Sequence, residues 1–227
     1  MYIKPLAALI ILFAFSFACS PTWAESYVPD ITELDGTSTL EFSDLSELNL
    51  SQTATIEFWV APGWTEDPDY DPVIVCEAGE EGLSYLIAML RDRDGLAIAT
   101  GDGEDDEEII TFDFTDGQMH HVAIVQLTDG LVVLVDGQVV GSSEMRLTRR
   151  PGLATWVGSI NGQDNVFTGA IAGPRFWGTA VAQTQLVEYA LKDVFAGPHP
   201  NLESLVAISE FTHADGPQLL VIDQTDT

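Results

Sequence analysis

Basic residues are nearly missing from this chain. Its 227 residues hold 8 Lys and Arg against 36 Asp and Glu, a formal net charge of −28. Lys4 and Lys192 are the two lysines. A nucleic-acid partner is excluded on this ground, because a phosphate backbone needs cations to displace its counterions. Anionic membrane surfaces are disfavoured for the same reason. Cysteine is equally scarce, with Cys19 and Cys76 alone. If Cys19 leaves with an N-terminal leader, no intramolecular disulfide remains. Cys76 lies in the apolar run Val73-Ile74-Val75-Cys76. It is expected as a small buried hydrophobe rather than a nucleophile, which would need a positively charged setting. Zinc-type Cys/His spacing, a Ser/His/Asp signature and a Gly-rich phosphate loop are all missing.

What is present is enough apolar material for a core, at 46% hydrophobic residues. One apolar run stands apart. Residues 1–24 carry a single cation, Lys4, before the stretch Leu6–Ala18, and end on the small residue Ala24. That stretch is short for a membrane span and fits a signal peptide cleaved after Ala24. The mature chain is therefore expected to be secreted, periplasmic or extracellular, with no membrane insertion after cleavage. Ser16-Phe17-Ala18-Cys19 is a poor lipoprotein signal, so lipidation at Cys19 is the lesser alternative.

From Thr37 onward, short β-rich runs alternate with turn clusters. Ser38–Ser43 alternates Leu40 and Phe42 with polar neighbours, and Ala54–Val60 (ATIEFWV) places Ile56, Phe58 and Val60 on one face at period two. Strands are also expected at Val73–Cys76, Leu83–Leu90, Leu96–Ala99, Ile109–Phe114, Val122–Val125, Leu131–Val135, Gln138–Val140, Trp156–Val157 and Phe167–Trp177. Asp94-Gly95, Asp116-Gly117, Asp129-Gly130, Asp136-Gly137 and Asn161-Gly162 punctuate them and read as tight turns. A single helix is expected over Gln185–Phe195, with Leu186, Tyr189, Ala190 and Val194 at helical spacing and Thr184 as its cap. Two closing strands, Leu205–Phe211 and Gln218–Ile222, complete the pattern. The fold class is all-β, a two-sheet antiparallel sandwich with one short C-terminal helix. Residues 25–227 form one domain, with a core over 34–190 and closing strands within 199–227.

The order of the motifs carries a resemblance. Leu34-Asp35-Gly36 precedes ATIEFWVAP at 54–62. Asp116-Gly117-Gln118-Met119-His120-His121-Val122-Ala123 follows, then Leu131-Val132-Val133-Leu134-Val135-Asp136-Gly137. Trp156-Val157-Gly158-Ser159 and Phe167-Thr168-Gly169-Ala170-Ile171 lead to Arg175-Phe176-Trp177. Over roughly residues 34–190 this resembles the laminin-G-like, concanavalin A-like jelly rolls, the group that includes the pentraxins. The resemblance implies two antiparallel sheets packed face to face. Met119 stands where the family usually has Trp, and Ala172 where it often has Asp, which puts inherited rim details in doubt. His120 and His121 point to opposite faces of a strand, so one metal cannot easily take both. Trp59, Trp156 and Trp177 fall within strand runs and are expected in the core.

Four places could carry chemistry. In Trp64–Pro72 (WTEDPDYDP), Asp67, Asp69 and Asp71 alternate and could wrap a calcium ion, while Trp64 and Tyr70 offer rings for stacking on a sugar. The same spacing also suits a solvated acidic loop. The resemblance to pentraxins implies a second calcium site from Glu80 (beside Glu81), Asn161, Gln163 and Asp164. The run Asp102–Glu108 reads first as a charged hairpin tip. It also resembles the three-carboxylate strand of concanavalin A-like glycosidases, with Glu104, Asp106 and Glu108 on one face. Against catalysis, Asp105 and Glu107 supply no apolar opposite face, and Gly101-Asp102-Gly103 spells a turn. Asn49-Leu50-Ser51 matches a glycosylation acceptor without persuasive context.

Three functions follow. The leading expectation is a non-catalytic binding module that recognises a glycan or an extracellular protein through rim loops, with Ca²⁺ as its candidate cofactor. The alternatives are a glycoside hydrolase or lyase of the same fold, and a structural or adhesion protein of the cell envelope.

Overall fold

The computed structural model describes residues 31–221 apart from 37–38, 43–44, 46, 81, 102–105, 196–197 and 211–217. The expected signal segment 1–24, with Cys19, therefore lies outside the described residues. So do Glu81, Glu104, Asp105 and the turn at Asp215-Gly216-Pro217.

The strands are β1 (Ile31–Asp35), β2 (Leu40–Phe42), β3 (Ala54–Pro62), β4 (Val73–Gly79), β5 (Gly82–Met89), β6 (Gly95–Thr100) and β7 (Glu107–Thr111). They continue with β8 (His120–Leu127), β9 (Gly130–Val135), β10 (Gln138–Ser143), β11 (Ala154–Val157) and β12 (Thr168–Trp177). Helix α1 (Gln183–Tyr189), β13 (Leu205–Glu210) and β14 (Gln218–Val221) close the chain. One sheet runs β10-β9-β8-β3-β12-β13-β14, with β1 also on β12, and the other runs β2-β11-β4-β5-β6-β7. Every pairing within them is antiparallel. The expected two-sheet jelly roll is what forms.

Strand β1 lies one step ahead of the first strand read from sequence. Its residues ITELD offer too little apolar alternation to stand out alone. It is a strand because β12 pairs with it over Thr168–Ala172, on the same flank where β13 pairs further along at Arg175–Trp177. The N- and C-terminal strands thus share one side of β12, as a closing C-terminal strand predicts.

The core sits between the sheets. Ile56, Phe58 and Val60 of β3 turn inward as their alternation requires, against Tyr85, Ile87, Met89, Leu96 and Ile98 of the other sheet. Phe42 meets Phe176 edge-on at 5.3 Å. Each large apolar side chain fully buried here contributes about 1.5–3 kcal/mol.

The alternate residues of β3, β8, β9 and β12 face outward, yet several of them are buried too. Ala123, Val125, Leu134 and Trp177 pack beneath Leu186 of α1 and Val181, Val194 and Leu205 of its flanking segments. The helix starts two residues earlier than expected and ends six earlier. Ala182 is its N-cap, without a side-chain bond, so Thr184 lies inside the helix rather than capping it. Its end is set from outside. Arg175 donates to the carbonyls of Tyr189 (3.2 Å) and Lys192 (3.0 Å), and Trp59 Nε1 donates to that of Ala190 (3.2 Å). These bonds satisfy the last carbonyls, which would otherwise need a further turn or a cap.

Candidate functional site

Three loops meet at one end of the sandwich: 63–72 between β3 and β4, 90–94 between β5 and β6, and 158–167 between β11 and β12. Bonds between the loops hold them. Trp64 Nε1 donates to the carbonyl of Arg91 at 2.9 Å, and Arg93 Nη1 returns a bond to the Trp64 carbonyl at 3.4 Å. The Arg91 amide donates to Asp71 Oδ1 at 2.9 Å. Asn165 Nδ2 donates to the Asp71 carbonyl at 3.2 Å, and Tyr70 donates to the Val166 carbonyl at 3.3 Å. Trp64 also stands edge-on to the buried Phe167, with ring centres 5.5 Å apart.

The result is a braced rim carrying both aromatic and polar groups. Trp64 and Tyr70 stay half-buried, while Glu66, Asp67, Asp69, Arg91, Asp92 and Asp94 are exposed. The turn Asn161–Asp164 adds exposed Asn161, Gln163 and Asp164. That turn is closed by the Ile160 carbonyl, which accepts from Gln163 (3.1 Å) and Asp164 (3.0 Å). Asn161 and Gly162 hold φ of +53° and +76°, as the Asn-Gly pair predicts. Since the polar tips of Trp64 and Tyr70 are spent on the scaffold, what they offer a ligand is ring surface.

The expected metal residues separate. Residue 157 of β11 pairs with 75 of β4, and residue 154 with 78. This register places the Asn161–Asp164 turn beyond Val73, at the start of β4, and Glu80 just past its end. Over the 7 residues of β4 the two sites lie on the order of 20 Å apart. Glu80 therefore does not join Asn161, Gln163 and Asp164 around one ion. In the other expected set, Asp67 faces Arg93 at 3.9 Å and Asp71 binds the Arg91 amide, while Asp69 is exposed. Among the described residues no three His, Cys, Asp or Glu side chains gather so that they could hold a metal ion.

The expected three-carboxylate strand has Glu104 outside the described residues. Asp106 is exposed just before β7, and Glu108 on β7 accepts a bond from Ser143 Oγ at 3.0 Å. Strand β7 is the outermost of its sheet, so these carboxylates line an edge rather than the middle of a sheet face.

The densest chemistry is a buried cluster that sequence reading did not single out. Glu57 (3% exposed) sits under α1 with His121 (4%), Arg175 (2%) and Trp177 (0%). Glu57 Oε2 lies 2.9 Å from His121 Nε2, and Oε1 accepts from Trp177 Nε1 at 2.9 Å and Arg175 Nη1 at 3.4 Å. Burial by itself raises the carboxyl pKa, but the bond from His121 and the Arg175 charge outweigh it, so the net shift is downward. The available signal was Glu57 itself, a lone acid inside ATIEFWV; its partner on β8 is Ala123, two residues along from His121. The cluster is closed to solvent and fastens α1 to the sheet. His120 points to the other face, with Asp136 Oδ2 at 2.7 Å and Asp116 Oδ1 at 3.1 Å from its ring nitrogens. Trp177 is a core residue as expected, whereas Trp59 and Trp156 remain partly exposed on the outer faces of the two sheets. Cys76 is buried, and desolvation pushes its thiol up to about 12.

No curated protein matches this sequence. Among solved structures, domain 4 of the extracellular arabinanase AbnA of Geobacillus stearothermophilus, solved with arabinotriose, superposes with a TM-score of 0.54 at 17% identity. The match covers 71% of this chain and 79% of that one. A candidate carbohydrate-binding protein from Bacteroides ovatus gives 0.56 at 15%, covering 87% of this chain and 59% of its own. The heptameric SAP-like pentraxin of Limulus polyphemus gives 0.55 at 16%, covering 87% and 96%. At these identities the likeness concerns the fold. The family assignment comes from the sequence itself: residues 34–187 match the family described as the concanavalin A-like lectin/glucanases superfamily, laminin-G type, and the chain belongs to it.

Proposed function

We propose that this chain is a secreted, non-catalytic module that binds carbohydrate through the rim formed by residues 63–72, 90–94 and 158–167. The observation that carries this reading is the bracing of those loops. Trp64 and Tyr70 are each tied to a backbone carbonyl of a neighbouring loop, so their rings stand still beside exposed carboxylates and amides. A sugar presents an apolar ring face and a fringe of hydroxyls. A fixed aromatic face with planar hydrogen-bonding groups around it suits both. Pre-ordered loops reduce the entropy lost on binding. The rim's carboxylates outnumber its two arginines, which favours neutral over anionic glycans. The fold shared with an arabinanase domain solved with arabinotriose supports the same reading.

The test is a titration of the purified protein against a panel of neutral and anionic polysaccharides, followed by calorimetry on any hit. Binding should be lost in Tyr70→Ala and weakened in Tyr70→Phe, which keeps the ring but removes its bond to the Val166 carbonyl. Binding that survives Tyr70→Ala and Trp64→Phe undiminished would move the site elsewhere. Repeating the titration in calcium and in chelator tests whether Asn161, Gln163 and Asp164 contribute through a bound cation.

A further inference from the structure

The outward side of α1 breaks the usual pattern for a surface helix. Val187 (57% exposed), Leu191 (48%) and Phe195 (41%) follow one another at intervals of four along the helix and the turns after it. The inward side is already apolar, with Leu186, Ala190 and Val194 buried. The outward residues therefore add nothing to the core, and a surface helix ordinarily carries polar residues there. The patch extends onto the neighbouring hairpin. Gln183 Nε2 donates to the Gly137 carbonyl at 2.7 Å, and Val187 Cγ2 lies over Gly137, where a Cβ would come within 2.3 Å of it. Two residues further along β10 is Val139, 56% exposed. Four of the five large apolar side chains exposed among the described residues thus fall on α1, its following turns and the adjoining start of β10.

Charge decides what can cover this surface. Glu188 and Asp193 lie within it, and its one cation, Lys192, is paired with Glu188 at 3.1 Å. A second copy would bring the same acidic border and a net charge of −28, so like charges would face one another. We infer that the outward side of α1 with the start of β10 is a docking surface for a basic amphipathic segment of another protein, its apolar side chains on Val187 and Leu191 and its cations on the acidic border. This surface lies on the outer face of the larger sheet; its hairpin at Asp136-Gly137 is at the same end of that sheet as the 63–72 loop, with β8 and β9 between them. The module would join a protein partner to whatever the rim holds, but the docking does not require the rim reading to be true.

The probe is a synthetic amphipathic peptide of leucines and lysines, titrated by fluorescence anisotropy at low and high salt. A control peptide of equal charge has serine for leucine. The leucine peptide should bind at least about tenfold tighter than the control. A Val187→Ser/Leu191→Ser variant should lose about that factor with an unchanged melting temperature, because both side chains are exposed. Val139→Ser, on the strand rather than the helix, should show a smaller loss in the same direction. Equal binding by both peptides, or by variant and parent, would reduce the effect to bulk charge and overturn the proposal. So would sedimentation showing that the protein self-associates and that Val187→Ser/Leu191→Ser abolishes it, since the occupant would then be a second copy.

Discussion

Arg175 faces Glu57 directly across the β3–β12 pairing, and the same guanidinium bonds the carbonyls of Tyr189, the last residue of α1, and Lys192 just beyond it. One buried ion pair thereby joins the sheet to the layer that covers it. Removing one partner leaves the other charge buried and uncompensated, which costs about 3–5 kcal/mol. Glu57→Gln should lower the urea midpoint accordingly. Glu57→Gln combined with Arg175→Met should lose clearly less than the sum of the two single changes, because the partners share their bonds. Additive losses would show that the two groups act independently. The pH sign follows from the lowered carboxyl pKa. The stabilisation by Glu57 is fully present above the ordinary carboxylate range and is lost as pH falls through its depressed folded value.

Gly169 is a case of close approach. Its φ is +140°, and a Cβ there would lie 2.3 Å from the Ala61 carbonyl oxygen and 2.7 Å from the Gly63 amide nitrogen. Gly169→Ala should destabilise by about 2–4 kcal/mol, since backbone on both sides must move. Gly117→Ala is the control. Its φ is +71°, but nothing lies within 4 Å of the added atom. It should cost only about 1–2 kcal/mol, the backbone strain alone. Equal losses in thermal unfolding would mean that strain, rather than contact with β3, makes glycine necessary at 169.

That contrast also shows how much of the molecule could be read in advance. Phe167-Thr168-Gly169-Ala170-Ile171 was legible as a motif, and its glycine has a local physical cause. The inward set Ile56, Phe58 and Val60 was legible because alternation is a property of one strand. Whether the outward set is wet or dry is not. Glu57 belongs to that outward set and is buried only because a segment more than a hundred residues later folds over it. Glu80 and Asn161 failed as a pair for a similar reason. Each sits in a plausible loop, but the β4–β11 register sends them to opposite ends of a strand, and register depends on partners that a local window does not contain. Trp64 and Tyr70 were picked out by residue type as candidates, while the bonds that fix their rings were not visible in sequence.

At the rim, Asp71 accepts the Arg91 amide and its carbonyl accepts Asn165, so it braces all three loops. Asp71→Ala removes the first bond, worth about 1 kcal/mol. Amide exchange at Arg91 should quicken roughly fivefold. Asp71→Asn keeps an acceptor and should leave exchange nearly unchanged. The melting temperature should fall by only about 2–4 °C in Asp71→Ala and hold in Asp71→Asn. Exchange unchanged in Asp71→Ala would show that the loop is held from elsewhere.

His120 and His199, both buried, have pKa values shifted in opposite directions, and together they set a stability optimum. Burial pushes the His120 pKa down, but Asp136 and Asp116 on its two ring nitrogens more than reverse this, so its folded value is raised. Both nitrogens face carboxylates, at 2.7 and 3.1 Å, and only the imidazolium can donate to both. Its stabilisation is complete below the unfolded value of about 6.5 and is lost as pH rises through the raised folded value. His199 is stacked on Trp177 at 4.7 Å, and its Nδ1 accepts the Asn201 amide at 3.1 Å, so that nitrogen carries no proton. Burial, together with the Arg175 charge, lowers its pKa against the opposing pull of Glu57. Its stabilisation is present above about 6.5 and is lost as pH falls through the lowered folded value. The melting temperature should therefore decline as pH rises above the ordinary histidine value of about 6.5 through the raised His120 value, and decline as pH falls below it through the lowered His199 value. His120→Gln should flatten the alkaline decline and leave the acid one. His199→Gln should do the reverse, with the remaining acid loss belonging to Glu57. If both variants keep the parent's profile, the pH dependence arises from the acidic surface instead. In that case added salt should flatten the profile, whereas it should barely affect the buried histidines.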